Sequence, residues 1–563
     1  MDSFHEPNKS RATTALTLDT VRDQVIRLEA EHRAKGIQLS GRILHLCHYL
    51  PITLALKPSV SDTSGIPSPP ATPPAKNSDI PESPTDTSAP ALATPKAEFK
   101  SSEGKWKIGG RYGHSAMISG ISSLAQTHEQ LIIGWTGDIA SNTPAELPPV
   151  SSRTVEPLHT VHKRAPSTSA LQPPDDDEET AGTKKVLLSA ISDEEKKSLE
   201  DTLQDYTAKV GIRGEGDKPT AYVPVWIEEK VAHGHYDGYC KQTLWPLFHY
   251  LLWQDVATEY ASADQHWPSY YKANEEFAKK VVELYKPGDL IWIHDYHLLL
   301  APLMIRQSLP EAAVGLFVHT PFPSSEVFRC LPRRNEILDG MLGANLICFQ
   351  TYSYSRHFTS SCVRVCGYEI TSRGAIDVQG HVASIAYTPV GVDASRVSRD
   401  LLRPGIQPKL QALTSLYADK KIIVGRDKLD VVKGVVQKLK AFEKLLEDYP
   451  EWRGRVVLIQ VTSPALSDSP KLERQVSELV AHINGEYGSL DFIPVHHYHQ
   501  TIKKDEFYAL LSVADLGVIT PLRDGMNTTS MEFVIAQDRT KKSPLVLSEF
   551  HGYLEQHERS SSN

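Results

Sequence analysis

Four stretches of this chain set chemically able side chains directly after short apolar runs. In Trp292-Ile-His294-Asp295-Tyr296-His297, two histidines and a carboxylate close a run that reads as a buried strand. Asp295 can accept hydrogen bonds from a ligand hydroxyl; it reads equally as a cap at a strand–helix junction, with two packed histidines beside it. Val318-His319-Thr320-Pro321-Phe322-Pro323 ends another run on a histidine before a rigid Pro-x-Pro turn. A neutral imidazole there can donate to or accept from a ligand oxygen, or simply pack. Arg426-Asp427-Lys428-Leu429-Asp430-Val431-Val432-Lys433-Gly434 offers two ammonium groups and a glycine turn ahead of a helix. Such a combination can clamp a diphosphate through charge and helix N-terminal amides, and a solvated lysine loop is the plainer reading. The fourth stretch is Thr520-Pro521-Leu522-Arg523-Asp524-Gly525-Met526-Asn527, with Glu532 in the helix that follows. Gly525 frees the backbone to approach a ligand, and the helix start beyond it is a natural anion site. Asp524 can bind hydroxyls, and Glu532 can take a vicinal diol through two hydrogen bonds; the same residues also describe an N-capped helix with an exposed acid. No metal is expected at His294-x-x-His297 or at His496-His497-Tyr498-His499, because neither has further carboxylate or thiolate ligands at suggestive spacing.

The pattern of apolar runs says what must hold these residues. Runs at 41–47, 131–133, 221–226, 290–294, 314–319, 346–349, 422–424, 456–461, 492–495, 516–519 and 545–547 are separated by helical stretches. Strands that are apolar throughout, not alternating, belong inside a sheet covered on both faces by helices, which is parallel α/β architecture. The pattern restarts near residue 385, so two Rossmann-like units are expected, over 41–385 and 386–548, with ligands at the carboxyl ends of their strands. Residues 1–40 read as a tail with one helical stretch, Leu18 to Arg33, and 549–563 as a second tail. Two insertions, near 57–100 and 140–185, mix prolines with Ser, Thr and Asp and keep no apolar period, so disorder is expected there. The first carries Ser68-Pro69, Thr72-Pro73, Ser83-Pro84 and Thr94-Pro95, which are proline-directed phosphoacceptor dipeptides.

Composition bounds the partners. The chain has 563 residues, 60 Lys and Arg against 69 Asp and Glu, and a formal charge of −9. That balance argues against nucleic acid or an anionic membrane surface as partner. No apolar run reaches about 18 residues, and polar Met1 to Arg11 lacks the apolar centre of a secretory signal. Six cysteines are too few for a disulfide framework of this size, so a cytoplasmic location is expected.

Six segments, in order over roughly residues 41–548, resemble the trehalose-6-phosphate synthase family, glycosyltransferase family 20. They are Leu244-Trp-Pro-Leu-Phe-His-Tyr250, Ile291-Trp-Ile-His-Asp-Tyr-His-Leu298, His319-Thr-Pro-Phe-Pro323, Thr388-Pro-Val-Gly-Val392, Lys428-Leu-Asp430 with Lys433-Gly434, and Pro521-Leu-Arg-Asp-Gly-Met-Asn527. The resemblance implies the GT-B fold, two Rossmann-like domains facing a cleft. It implies transfer of glucose from UDP-glucose to glucose 6-phosphate with retention, without a cofactor or a required metal. It implies donor contacts from Lys428, Lys433, Asp524, Gly525, Met526, Asn527 and Glu532, acceptor contacts from Trp135, Tyr236, Trp245 and Asp295, and catalytic roles for His319, Asp295 and Asp524.

The departures from the family pattern sit mainly on the acceptor side. Ser-Asn-Arg-x-Pro, whose arginine holds a phosphate in the synthases, reads Cys47-His48-Tyr49-Leu50-Pro51 here, and a second phosphate arginine is replaced by Leu466. A glycine-pair loop reads Gly113-His114-Ser115-Ala116, and Phe-Ser-Asn reads Tyr239-Cys240-Lys241. Lys428 stands where arginine is usual, which keeps charge and loses the bidentate fork. Each charge-assisted hydrogen bond is worth roughly 1.5–3 kcal/mol, so losing two weakens acceptor binding by a factor of about 10² or more. Asn527-Thr-Thr-Ser-Met-Glu532 and Gly425-Arg-Asp-Lys428 resemble the fungal synthase-like subunits of the trehalose complex. Relatives continue beyond Leu545-Val-Leu-Ser-Glu-Phe550, so the end of the second domain is expected to be missing, along with any phosphatase domain. The resulting expectation is a regulatory or weakly active synthase-like subunit of the trehalose-6-phosphate synthase/phosphatase complex. Its partners would be the other subunits, UDP-glucose and glucose 6-phosphate. An active UDP-glucose:glucose-6-phosphate glucosyltransferase and a nucleotide-sugar sensor are the alternatives.

Overall fold

The computed structural model describes residues 18–56, 106–111, 115–141, 184–186, 191–210, 217–251, 263–372, 374–464 and 470–550. Most of both proline-rich insertions, the Ser-Pro and Thr-Pro dipeptides, His114, Leu466 and the tail beyond Phe550 lie outside the described residues. In chain order the strands are β1 (Arg42–Tyr49), β2 (Ile52–Leu56), β3 (Trp106–Gly110), β4 (Glu129–Trp135), β5 (Ile139–Ser141), β6 (Lys184–Val186), β7 (Thr220–Val225), β8 (Leu290–His294) and β9 (Ala313–Val318). They continue with β10 (Leu346–Phe349), β11 (Glu369–Ile370), β12 (Ile376–Val378), β13 (His381–Tyr387), β14 (Lys421–Lys428), β15 (Val456–Ser463), β16 (Val495–His499), β17 (Leu516–Ile519) and β18 (Leu545–Leu547).

Two compact units share these strands. The larger (Met1–Pro51, Tyr112–Trp135, Leu203–Asn563) holds two separate sheets. The first runs β11-β12-β13-β10-β9-β8-β1-β4-β7 and is parallel from β13 to β7, with β11 and β12 antiparallel at one edge. The second runs β16-β15-β14-β17-β18 and is parallel throughout. Successive residues of its central strands enter different cores: Ile422, Val424, Val457 and Ile459 pack on one face, and Ile423, Val456 and Leu458 on the other. A strand covered on both faces must be apolar at every position, which is why these strands stand out in the sequence.

The smaller unit (Ile52–Arg111, Thr136–Thr202) is a four-stranded sheet, β3-β2-β5-β6, in which only β2 and β5 are parallel. None of its strands is anticipated from the sequence, because segments such as Trp-Lys-Ile-Gly-Gly and Lys-Lys-Val are too short and polar to show a period. Other boundaries shift. β1 continues to Tyr49, and β14 includes Arg426-Asp427-Lys428, which the sequence assigns to a loop. The run at 492–495 is not the strand; β16 starts at Val495, because Ser489 and Phe492 close a turn and Pro494 has no N–H to donate to a ladder. All six cysteines are free thiols. Among the described residues no helix is long and apolar enough to cross a membrane.

Candidate functional site

The loops that follow β9, β14 and β17 meet at the carboxyl ends of the two parallel sheets. After β14, the Asp430 carboxylate accepts from Val432 N at 3.0 Å and shapes a single tight turn. Gly434 then adopts φ +66°, and a Cβ there would strike the Thr520 carbonyl oxygen, so only glycine lets this loop lie against the end of β17. The turn delivers the Lys433 ammonium to Asp524, Nζ to Oδ2 at 2.7 Å. Burial lowers the affinity of Lys433 for its proton; the charge and hydrogen bond of Asp524 more than offset that, leaving its pKa above the ordinary lysine value. Asp524 Oδ1 accepts from Gly525 N at 2.9 Å, and its carbonyl accepts from the buried Tyr354 hydroxyl at 2.9 Å.

Gly525 brings the two sheets together. A Cβ at this position would strike the His319 carbonyl oxygen. On the far side of that contact, Asp295 holds φ +70°, a backbone conformation that costs a non-glycine residue on the order of 1–3 kcal/mol. The conformation aims Oδ1 at the amides of His319 and Thr320, at 3.1 and 3.2 Å. Burial pushes the Asp295 pKa up to about 6, against the opposing pull of those amide bonds. His319 Nε2 lies 3.4 Å from His294 Nδ1, and His294 Nε2 lies 3.2 Å from His45 Nδ1. Burial lowers His319 to about 4 and His45 to about 3, so both imidazoles are neutral near pH 7. Gln350 braces the loop, donating to the His319 carbonyl at 3.4 Å and accepting from Val390 N at 2.9 Å.

An aromatic wall stands on the first-sheet side. Trp135, at the end of β4, stacks on Tyr49 at 5.2 Å, and Tyr49 meets Tyr236 edge-on at 5.4 Å. Tyr236 lies in wide π-helical turns over Gly234–Leu244. Gly234 and Gly238 let those turns approach the helix Ala263–Leu284, since a Cβ at Gly238 would strike the His266 ring. Trp245 follows, and its indole Nε1 donates to Asp430 Oδ1 at 3.5 Å, joining the wall to the loop after β14. Lys428 is partly buried at the end of β14; burial first, then the charges of Lys433 and Lys241, lower its pKa to about 8.

Lys433, Asp524, Gly525, His319 and Asp295 are thus brought into one cluster, with Trp245 tied to it through Asp430 and with Tyr236 and Trp135 along the wall. Glu532 stands apart, on the helix Thr528–Asp538, where Tyr508 donates to it at 3.4 Å. Burial raises the Glu532 pKa, partly countered by the Arg426 charge and the Tyr508 hydroxyl. The Asn527 amide oxygen is engaged in capping that helix, accepting from Thr529 N at 2.9 Å and Ser530 N at 3.3 Å, and Met526 is partly exposed beside it. Tyr354, Gln350 and His45 escape sequence reasoning, since nothing adjacent to them marks a site. Lys241 is visible only as a departure from the family pattern. Among the described residues no group of three or more side chains is arranged to hold a metal ion.

Residues 175–558 match the profile of Glycosyltransferase family 20. This chain belongs to that family. Its paired parallel sheets, with their strand ends opposed across the Gly525–His319 contact, are the family's GT-B arrangement. The family 20 chain is 40% identical over 487 residues to the trehalose-phosphatase of Saccharomyces cerevisiae, covering 81% of this chain and 51% of that protein. It is 42% identical over 338 residues to the UDP-forming alpha,alpha-trehalose-phosphate synthase A of Dictyostelium discoideum, covering 60% of this chain and 45% of that one. The solved N-terminal domain of Candida albicans trehalose-6-phosphate phosphatase is similar at 35% identity and a TM-score of 0.63, covering 92% of this chain and 84% of that domain. The chain spans about half the length of these two curated relatives.

Proposed function

We propose that this family 20 chain works in trehalose biosynthesis as a cytoplasmic, synthase-like subunit of a trehalose-6-phosphate synthase/phosphatase complex, binding UDP-glucose and turning it over weakly or not at all. The carrying observation is an asymmetry between the two sides of the cluster. On the donor side, Lys433 is poised against Asp524 at 2.7 Å with Lys428 and the glycine turn beside it, a cationic cradle suited to a diphosphate. On the acceptor side, the position of a synthase's phosphate arginine holds Tyr49, stacked on Trp135. The Asp295 carboxylate, the family's acceptor-side acid, already accepts two backbone amides. Lost charge on one side with retained charge on the other supports donor binding without efficient transfer.

Calorimetric titration with UDP-glucose, paired with an assay of UDP release in the presence of glucose 6-phosphate, tests this reading. Saturable UDP-glucose binding with turnover well below about 1 s⁻¹ is expected. Turnover within the usual enzyme range of about 1–10³ s⁻¹ overturns the regulatory assignment in favour of an active synthase, and absent UDP-glucose binding overturns the donor site.

A further inference from the structure

Lys241 is a partly buried cation with no ion-paired anion among the described residues; the carboxylates of Asp430, Asp295 and Asp237 act on it only at a distance, and burial outweighs them. Its ammonium stands 4.5 Å from the Trp245 ring centroid and 5.6 Å from that of Tyr236, within cation–π reach of both. It is partly buried on the π-helical turns, yet among the described residues no carboxylate lies within 4.0 Å of it and none of its three N–H donors has an acceptor. Lys428 is in the same position at the end of β14: partly buried, its side chain with no ion pair or hydrogen bond among the described residues. The Trp245–Asp430 bond draws these two lysines toward one region, since Asp430 lies two residues beyond Lys428. The charges of Lys433 and Lys241 both depress the Lys428 pKa, which places all three ammonium groups within electrostatic reach. Among the described residues, only Lys433 of the three has a carboxylate partner at hydrogen-bond distance.

Aromatic faces stabilise a cation modestly and take up none of its N–H groups, so the Lys241 ammonium keeps its donors for water or for an anion that reaches the same face. We propose that Lys241 is an anion-binding residue of this lysine cluster, donating to a phosphoryl oxygen of a ligand that lies against the Trp245 and Tyr236 rings. The inference deepens the donor-binding reading above by adding a phosphoryl contact from the first-sheet side, at a position where the synthase pattern has an uncharged side chain. Two sources carry the same chemistry: the diphosphate of a nucleotide sugar, and the phosphomonoester of a sugar phosphate.

The test is calorimetry of the full chain with UDP-glucose, with glucose 6-phosphate, and with glucose alone, for wild type, Lys241→Gln and Lys241→Arg. Wild-type and variant melting curves recorded alongside keep a folding defect separate from a binding defect. Lys241→Gln is expected to weaken one phosphoryl ligand about tenfold to a hundredfold, the loss of one charge-assisted hydrogen bond, while Lys241→Arg retains most of the affinity. Weakening of UDP-glucose assigns the contact to the diphosphate. Weakening of glucose 6-phosphate, with glucose itself unaffected, assigns it to the monoester, and this result stands even where UDP-glucose fails to bind and the donor reading falls. Unchanged affinity of a folded Lys241→Gln for both ligands overturns the proposal, as does a wild type that binds neither, or tighter binding by the variant.

Discussion

Lys433 and Asp524 face each other with side chains only 18% and 10% exposed, so each depends on the other for the stability of its charge. One N–H of the ammonium is committed to Asp524, and among the described residues the two others have no acceptor and are left for an anionic ligand. Replacing Lys433 with Ala therefore has two expected consequences. It strands a shielded carboxylate, at a cost of about 1–3 kcal/mol in denaturant unfolding, and it lowers UDP-glucose affinity at least tenfold by calorimetry. A Lys433→Ala variant that unfolds and binds like wild type would show the pair to be idle. These two residues are legible in the sequence because each follows an apolar run that marks a strand end. Tyr354 donates to the Asp524 carbonyl at 2.9 Å, and nothing in Thr351-Tyr352-Ser353-Tyr354 announces it, because the partner lies 170 residues away. Asn527 is legible as a polar residue at a helix start, and its chemistry is then largely local: its amide oxygen satisfies that helix's first N–H groups.

At the scale of elements, the loop after β14 is the part that geometry constrains most. Its course depends on Gly434, whose φ of +66° and closeness to the Thr520 carbonyl both exclude a side chain. Gly434→Ala is expected to cost about 2 kcal/mol or more, by combining left-handed strain with a forced retreat from β17. Moving the loop displaces Lys433, so UDP-glucose binding should fall further than the stability loss alone explains. By contrast, Gly454 has φ +73° with open space around its Cβ position, so Gly454→Ala carries strain only and should leave UDP-glucose affinity unchanged. Equal effects of the two substitutions on binding would remove the steric argument. The same contrast explains which elements are readable from sequence. β14, β15 and β17 are sandwiched between helices and show as apolar runs, whereas β3, β5 and β6 are too short or too polar to show one, and β2 pairs with β3 across a long stretch of chain.

Across the whole molecule, the strongest consequence of this packing is a dependence on pH. His235 and His249 are fully enclosed and lowered by burial to about 4, as is His319, with His45 lowered to about 3. These four rings lie in β1, in the π-helical turns, after Trp245 and after β9, so burial by many elements keeps them neutral. In the unfolded chain each returns to about 6.5 and takes up a proton that the folded protein refuses. Their share of stability is therefore complete above about pH 6.5 and is lost as pH falls toward about 4, each histidine contributing up to about 1.4 kcal/mol per pH unit. Asp295 acts in the opposite sense. Its pKa is raised to about 6, so between about pH 6 and 4 the folded state holds one extra proton and offsets roughly one of the four histidines. Urea unfolding at about pH 7 and about pH 5 should accordingly show a drop of several kcal/mol, and His45→Gln should shrink that drop by about one histidine's share. Equal unfolding free energies at the two pH values would mean that the rings are reached by water in the folded state. The loops after β9 and β14 would then rest on a far looser frame than their hydrogen bonds describe.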